Sequence, residues 1–101
     1  MAVLVEFEVH DATVDQMMAV EARTQERGHA LGRPPFAGCM FLAATPRGSG
    51  FHFVSVWRTE DAFRAVLEEM IGPDMAAEGA EVTDVEVSPV LSMAIPGTDA
   101  P

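Results

Sequence analysis

The chain predicts an α+β fold: a ferredoxin-like βαββαβ domain, with a four-stranded antiparallel sheet and two helices on one face. Three observations carry that prediction. Residues 51–95 read as strand, helix, strand, and so repeat the order of residues 3–44. Val3 to Val9 alternates Val3, Val5, Phe7 and Val9 against Leu4, Glu6 and Glu8, the period of a strand with unequal faces. Phe63, Val66, Leu67, Met70 and Ile71 recur at helical spacing and form one apolar stripe.

After the first strand, Thr13 with Gln16 fits a capping box, so a helix starts there. Val14, Met17, Met18 and Ala22 give it a thin apolar stripe, and Gly28 is a plausible stop. Residues 28–38 read as a loop because paired prolines forbid regular structure. Gly38 to Ala44 forms the second strand, with Cys39, Phe41 and Ala43 on one face and Met40, Leu42 and Ala44 on the other. Residues 45–50 make a hairpin turn. Phe51 to Trp57 forms the third strand. Thr59 caps the second helix, and Glu60 and Asp61 suit its first turn. Gly72-Pro73 is expected to interrupt that helix, with a short further turn from Asp74 to Glu78 before Gly79. The last strand is expected over Val82 to Ile95. Pro89 cannot donate a ladder hydrogen bond, so this strand belongs at an edge, bulged at Pro89. Residues 1–96 thus form one domain and 97–101 a frayed tail.

Composition narrows the function classes. The net charge is −10, all six cations are arginine, and lysine is absent. Nucleic acid and anionic membrane would both be repelled. No apolar run approaches a membrane helix, and no basic leader precedes the first strand. The single cysteine, Cys39, forms no internal disulfide, which fits a reducing cytoplasm.

Two helices cover one sheet face. The other would leave an apolar strip unusually large for a monomer. A second copy packed sheet on sheet about a twofold axis hides it, so a homodimer through the open face is expected.

The run VSVWRTEDAFRAVLEEM after a hairpin resembles the dimeric α/β-barrel proteins, in their antibiotic biosynthesis monooxygenase-like branch. The marker is Trp57 closing a strand, then the polar cap Thr59-Glu60-Asp61, then Ala62-Phe63 opening an apolar helix. The layout covers residues 3–95 and the motif only 51–71. The resemblance implies a dimer, a ligand pocket between helices and sheet in each subunit, and a tryptophan lining it. Relatives include cofactor-free oxygenases of aromatic polyketide-type substrates, haem-degrading enzymes and polyketide cyclases. Haem degradation is disfavoured, because residues 66–71 hold no histidine and the chain has no asparagine. Asparagine and tyrosine, partners in the quinone-forming oxygenases, are both missing.

Trp57 therefore has two readings, pocket wall or core tryptophan pinning the third strand on the second helix. If it faces the helices, Phe51, Phe53 and Ser55 do so too, and Phe7, Met17, Met18, Phe63 and Leu67 complete an apolar lining or simply a core. The same parity puts His52 and Arg58 on the open side with Glu6 and Glu8, where a charge cluster at a dimer seam is favoured over a catalytic role. His52 and His29 are the candidate bases, and Trp57 completes the catalytic set. His10, His29, His52 and Cys39 lack ligand spacing, so no metal is expected. Cys39 reads as a small buried residue. These residues suit a cofactor-independent monooxygenase acting on an aromatic or polyketide-type ligand, with no cofactor. A cyclase-like proton-transfer enzyme would use the same pocket. A non-catalytic dimeric binding module is the contrasting reading.

Overall fold

The computed structural model describes residues 1–94. Strand β1 (Val3–Val9) leads to helix α1 (Val14–Ala30), then the hairpin strands β2 (Cys39–Arg47) and β3 (Gly50–Trp57). Helix α2 (Glu60–Val66), a π-helical turn (Leu67–Ile71) and helix α3 (Gly72–Ala77) follow without a break, and β4 (Thr83–Pro89) ends the fold. All strand pairs are antiparallel, in the order β2-β3-β1-β4. This is the βαββαβ fold that the pattern predicts. Among the described residues no helix is long and apolar enough to cross a membrane.

The caps form as read. Thr13 accepts the Gln16 backbone N–H at 3.1 Å while the Gln16 side chain accepts that of Thr13 at 2.8 Å. Thr59 accepts from the Ala62 N–H at 3.0 Å. Each bond satisfies a donor that the helix itself leaves free.

Four boundaries differ from the sequence reading, each for a physical reason. Helix α1 runs through Gly28 to Ala30. Gly28 is buried where a methyl group would meet Pro35 at 3.0 Å, so it serves close packing instead of a stop. Gly72-Pro73 does not interrupt the second helix. The π turn absorbs the proline, with the Gly72 N–H reaching back to Leu67 O. A methyl on Gly72 would stand 2.9 Å from that oxygen, which favours glycine there. Strand β4 is an edge strand but stops at Pro89. Its bulge lies at Asp84-Val85, since Glu6 pairs with Glu86 while Glu8 pairs with Thr83, and Asp84 has φ +53. Ile95 and the tail at 97–101 lie outside the described residues.

The fourth difference is in β2. Cys39 pairs with Trp57 and Phe41 with Val56, so Met40 is an extra residue. That bulge reverses the alternation after it. Cys39, Leu42, Ala44 and Pro46 share the helix side, and Phe41, Ala43 and Thr45 the open side.

Val5, Phe7, Val9, Trp57, Phe63, Met70 and Met75 form the core between sheet and helices. The open face carries Leu4, Phe41, Ala43, Val54 and Val56 toward the motif end of the sheet, with Glu6, Glu8 and His52 beside them. The hairpin tip is tied down at the opposite end. Ala12 N–H donates to Ser49 O at 3.1 Å, and Ser49 Oγ to Asp11 at 2.8 Å.

Gly50 sits at that junction with its α-carbon against β1, and a methyl there would overlap the Val9 carbonyl. Gly50→Ala is expected to lower unfolding free energy by about 2–4 kcal/mol in urea titration.

Candidate functional site

A cavity of about 400 Å³ lies between α1 and the β2–β3 half of the sheet. Its origin is local. Successive turns of α1 present Val14, Met17, Met18, Glu21 and Thr24 along one side. The sheet beneath offers Phe7, Phe51 and Phe53, but β2 contributes only Leu42, Ala43, Ala44 and Pro46. Small residues on an edge strand leave volume that the helix does not fill. Phe7 and Phe53 stack with centroids 4.8 Å apart and planes at 15°, giving an aromatic floor. Phe36, from the loop after α1, closes one end at φ +56. Such a backbone costs a bulky residue on the order of 1–3 kcal/mol, so its surroundings fix it there. The Cys39 N–H donates to Phe36 O at 2.9 Å. At the mouth, Val14 is 59% exposed, Met18 63% and Leu42 41%, an apolar rim.

The residues singled out from sequence divide into three places. Phe7, Met17, Met18 and Phe53 line the cavity. Trp57, Ser55, Phe63 and Leu67 do not line it. Trp57 is 1% exposed at the far end of the sheet, edge-on to Phe63 at 5.5 Å. Its Nε1–H donates to Ser55 Oγ at 2.8 Å, and Ser55 Oγ–H donates to Val5 O at 3.3 Å. Every polar atom of that pair is thereby satisfied, and the pair locks β3 to β1. His52 points to the opposite sheet face. Its Nε2 lies 3.0 Å from Glu6 Oε1 and its Nδ1 3.1 Å from Glu8 Oε1, with Arg47 3.2 Å from Glu8. His29 is at the C-terminal end of α1, in an open groove with Arg33 and Pro34. Neither histidine lines the cavity.

Beneath α1 lies a buried charge. Asp74 on α3 is fully buried, accepts from Thr24 Oγ1 at 2.8 Å, and is bridged by Arg27 at 2.6 Å. The hydrogen bonding of Arg27 to Asp74 first, and the carboxylate charge second, push the Arg27 pKa up. The cluster clamps α1 to α3 and holds Thr24 at the cavity wall. Burial first pushes the Cys39 thiol pKa up, partly offset by a backbone hydrogen bond at Phe41, so the thiol form is favoured. Among the described residues no group of three His, Cys, Asp or Glu side chains is placed to hold a metal.

Glu21, Thr24 and Phe36 were not reached from sequence. Glu21 and Thr24 continue the spacing of Met17 and Met18 along α1, a signal present in the chain but hidden by reading only its apolar members. Phe36 carries no such signal.

No protein-family model matches the sequence, and no curated protein sequence matches it. Solved structures do match. The structural genomics protein YJCS superposes with TM-score 0.61 at 15% identity over 89% of this chain and 99% of that one. A candidate antibiotic biosynthesis monooxygenase from Chloroflexus aurantiacus gives 0.55 at 17% identity, over 92% and 98% of the two chains. SnoaB, a cofactor-independent oxygenase from Streptomyces nogalater, gives 0.54 at 20%, over 94% and 95%. The chain has the fold of the antibiotic biosynthesis monooxygenase-like proteins. At these identities the likeness to the monooxygenase-like proteins speaks to fold, and the site must be argued from its own residues.

Trp57→Ala is expected to cost about 3–5 kcal/mol of stability, as for other buried aromatics. Binding of an apolar ligand in the cavity should survive at temperatures where the variant stays folded, since Trp57 is outside the wall. Denaturation and ligand titration on the same sample check both halves.

Proposed function

We propose that this protein is a small-molecule enzyme that takes an uncharged aromatic or polyketide-type ligand into the cavity beside α1 and oxidises it with dioxygen, without a cofactor. The observation that carries the proposal is the cavity itself. Its volume of about 400 Å³ falls within the roughly 300–1,000 Å³ usual for small-molecule sites. Its aromatic floor suits a flat ring, and its lining is apolar apart from Glu21 and Thr24. The likeness to SnoaB supports the choice of reaction.

The chemistry balances without a further reductant. A phenolic ring and one dioxygen give a quinone and one water: the ring loses its hydroxyl proton and the hydrogen at the attacked carbon, and dioxygen supplies the new carbonyl oxygen. Dioxygen is the sole oxidant. A proton-transfer enzyme of cyclase type would use the same cavity and consume no oxygen. The position of both histidines outside the cavity favours a second reading, a binding module without turnover.

We also propose that a second copy covers the open sheet face. Phe41 is 52% exposed there beside Val54 and Val56. Glu6 and Glu8 are turned onto His52 and Arg47 of their own sheet, and Arg47 offsets the charge of Glu8. The free thiol of Cys39 supports a reducing, cytoplasmic setting.

With two- and three-ring phenols as substrates, an oxygen electrode is expected to record one dioxygen consumed per quinone formed. Conversion at full rate under argon would remove the oxygenase reading. Sedimentation should give the mass of two chains at micromolar concentration, and Phe41→Glu should shift it to one.

A further inference from the structure

We infer that Glu21 is the hydrogen-bond acceptor and charge filter of the cavity, so that its ligand is an uncharged ring system bearing a hydroxyl and no carboxylate. This rests on the reading of the cavity as the ligand site.

Glu21 is the one ionisable side chain lining the cavity, and it stands exposed at the rim beside Met18. Among the described residues it has no ion-pair partner. Glu60, Glu69, Asp74 and Glu78 each hold an arginine, whereas Glu21, like Asp15, Glu26, Asp61 and Glu68, holds none among the described residues. The wall's other polar side chain is Thr24, and its hydroxyl hydrogen is committed to Asp74. The side chains of the cavity therefore offer acceptors and no donor. A ligand carboxylate would lie beside a second negative charge with no cation in the lining to offset it. A ligand hydroxyl would find a partner at Glu21 while its ring lies over the Phe7–Phe53 floor.

The same placement gives the oxidation a route for its proton. A phenol that loses an electron becomes a strong acid. As the ring passes one electron to dioxygen, the O–H bond breaks and its proton goes to the Glu21 carboxylate, leaving an aryloxyl radical, superoxide and a neutral Glu21. Superoxide then adds to a ring carbon, the peroxide takes the proton back from Glu21, and loss of water leaves the quinone. No anionic phenolate has to form in a cavity that lacks a cation.

Three probes of one ring size separate the possibilities by calorimetric titration at neutral pH: 1-methylnaphthalene, 1-naphthol and 1-naphthoate. Naphthol is expected to bind about threefold tighter than methylnaphthalene, and naphthoate about tenfold weaker. Glu21→Gln should recover naphthoate binding about tenfold and leave methylnaphthalene unchanged. Glu26→Gln, which removes the same charge outside the wall, should recover none of it and so exclude the general field of an acidic protein. Equal binding of naphthoate and methylnaphthalene, or an unmoved ratio in Glu21→Gln, overturns the role of Glu21 while leaving the cavity reading intact. Failure of methylnaphthalene to bind overturns both.

Discussion

The structure depends on the alternation of β1. This strand lies inside the sheet, bonded to β3 on one side and β4 on the other, so its two faces are imposed on both neighbours. Val3, Val5, Phe7 and Val9 set one face, and they align with Trp57, Ser55, Phe53 and Phe51 of β3. The helices pack on that face because it is where the apolar surface is continuous. A one-residue slip would carry Glu6 and Glu8 into the core and Val5 out of it, and a buried unpaired carboxylate costs several kcal/mol, on the order of the whole stability of a small domain. Register is therefore fixed by chemistry on both sides at once.

That constraint explains why β3 serves two unrelated places. Phe51 and Phe53 face the helices and join the cavity floor and wall. His52, between them in sequence, faces away and is held by Glu6 and Glu8. Alternation alone separates them, so a histidine in that position cannot reach a ligand under α1 without breaking the strand. Trp57 shares the face of Phe53 but stands two residue pairs further along, where α2 already fills the space with Phe63. Being on the right face is thus insufficient for a place in the site. The cavity occupies only the end of the sheet where α1 overhangs the small residues of β2.

Much of the fold was legible because its signals are local. The Thr13–Gln16 box, the Thr59 cap and the alternation of β1 and β3 each lie within one element, and each forms as read. The bulges at Met40 and Asp84-Val85 were not legible, since an inserted residue changes register against a partner strand and leaves composition unchanged. The π turn escaped for a related reason. Gly72-Pro73 carries an ordinary stop signal, and only packing of Met70, Ile71 and Met75 into the core keeps the chain helical across it. The cavity was the least legible feature. It arises from what Ala44 and Pro46 do not fill, and missing volume on an edge strand has no periodicity to read. The lining divided accordingly: bulky Phe7, Met17, Met18 and Phe53 stood out, while Glu21 and Thr24 did not.

The buried Asp74 links the scaffold to the chemistry of the wall. A carboxylate with no exposure needs donors, and it takes them from both Arg27 and Thr24 on α1. The clamp fixes α1 against α3, and hence the width of the cavity between α1 and the sheet. It also withdraws the Thr24 hydrogen from the cavity. A structural requirement deep in the helix layer thus sets the polarity of the surface above it, leaving Glu21 as the one ionisable side chain along the cavity.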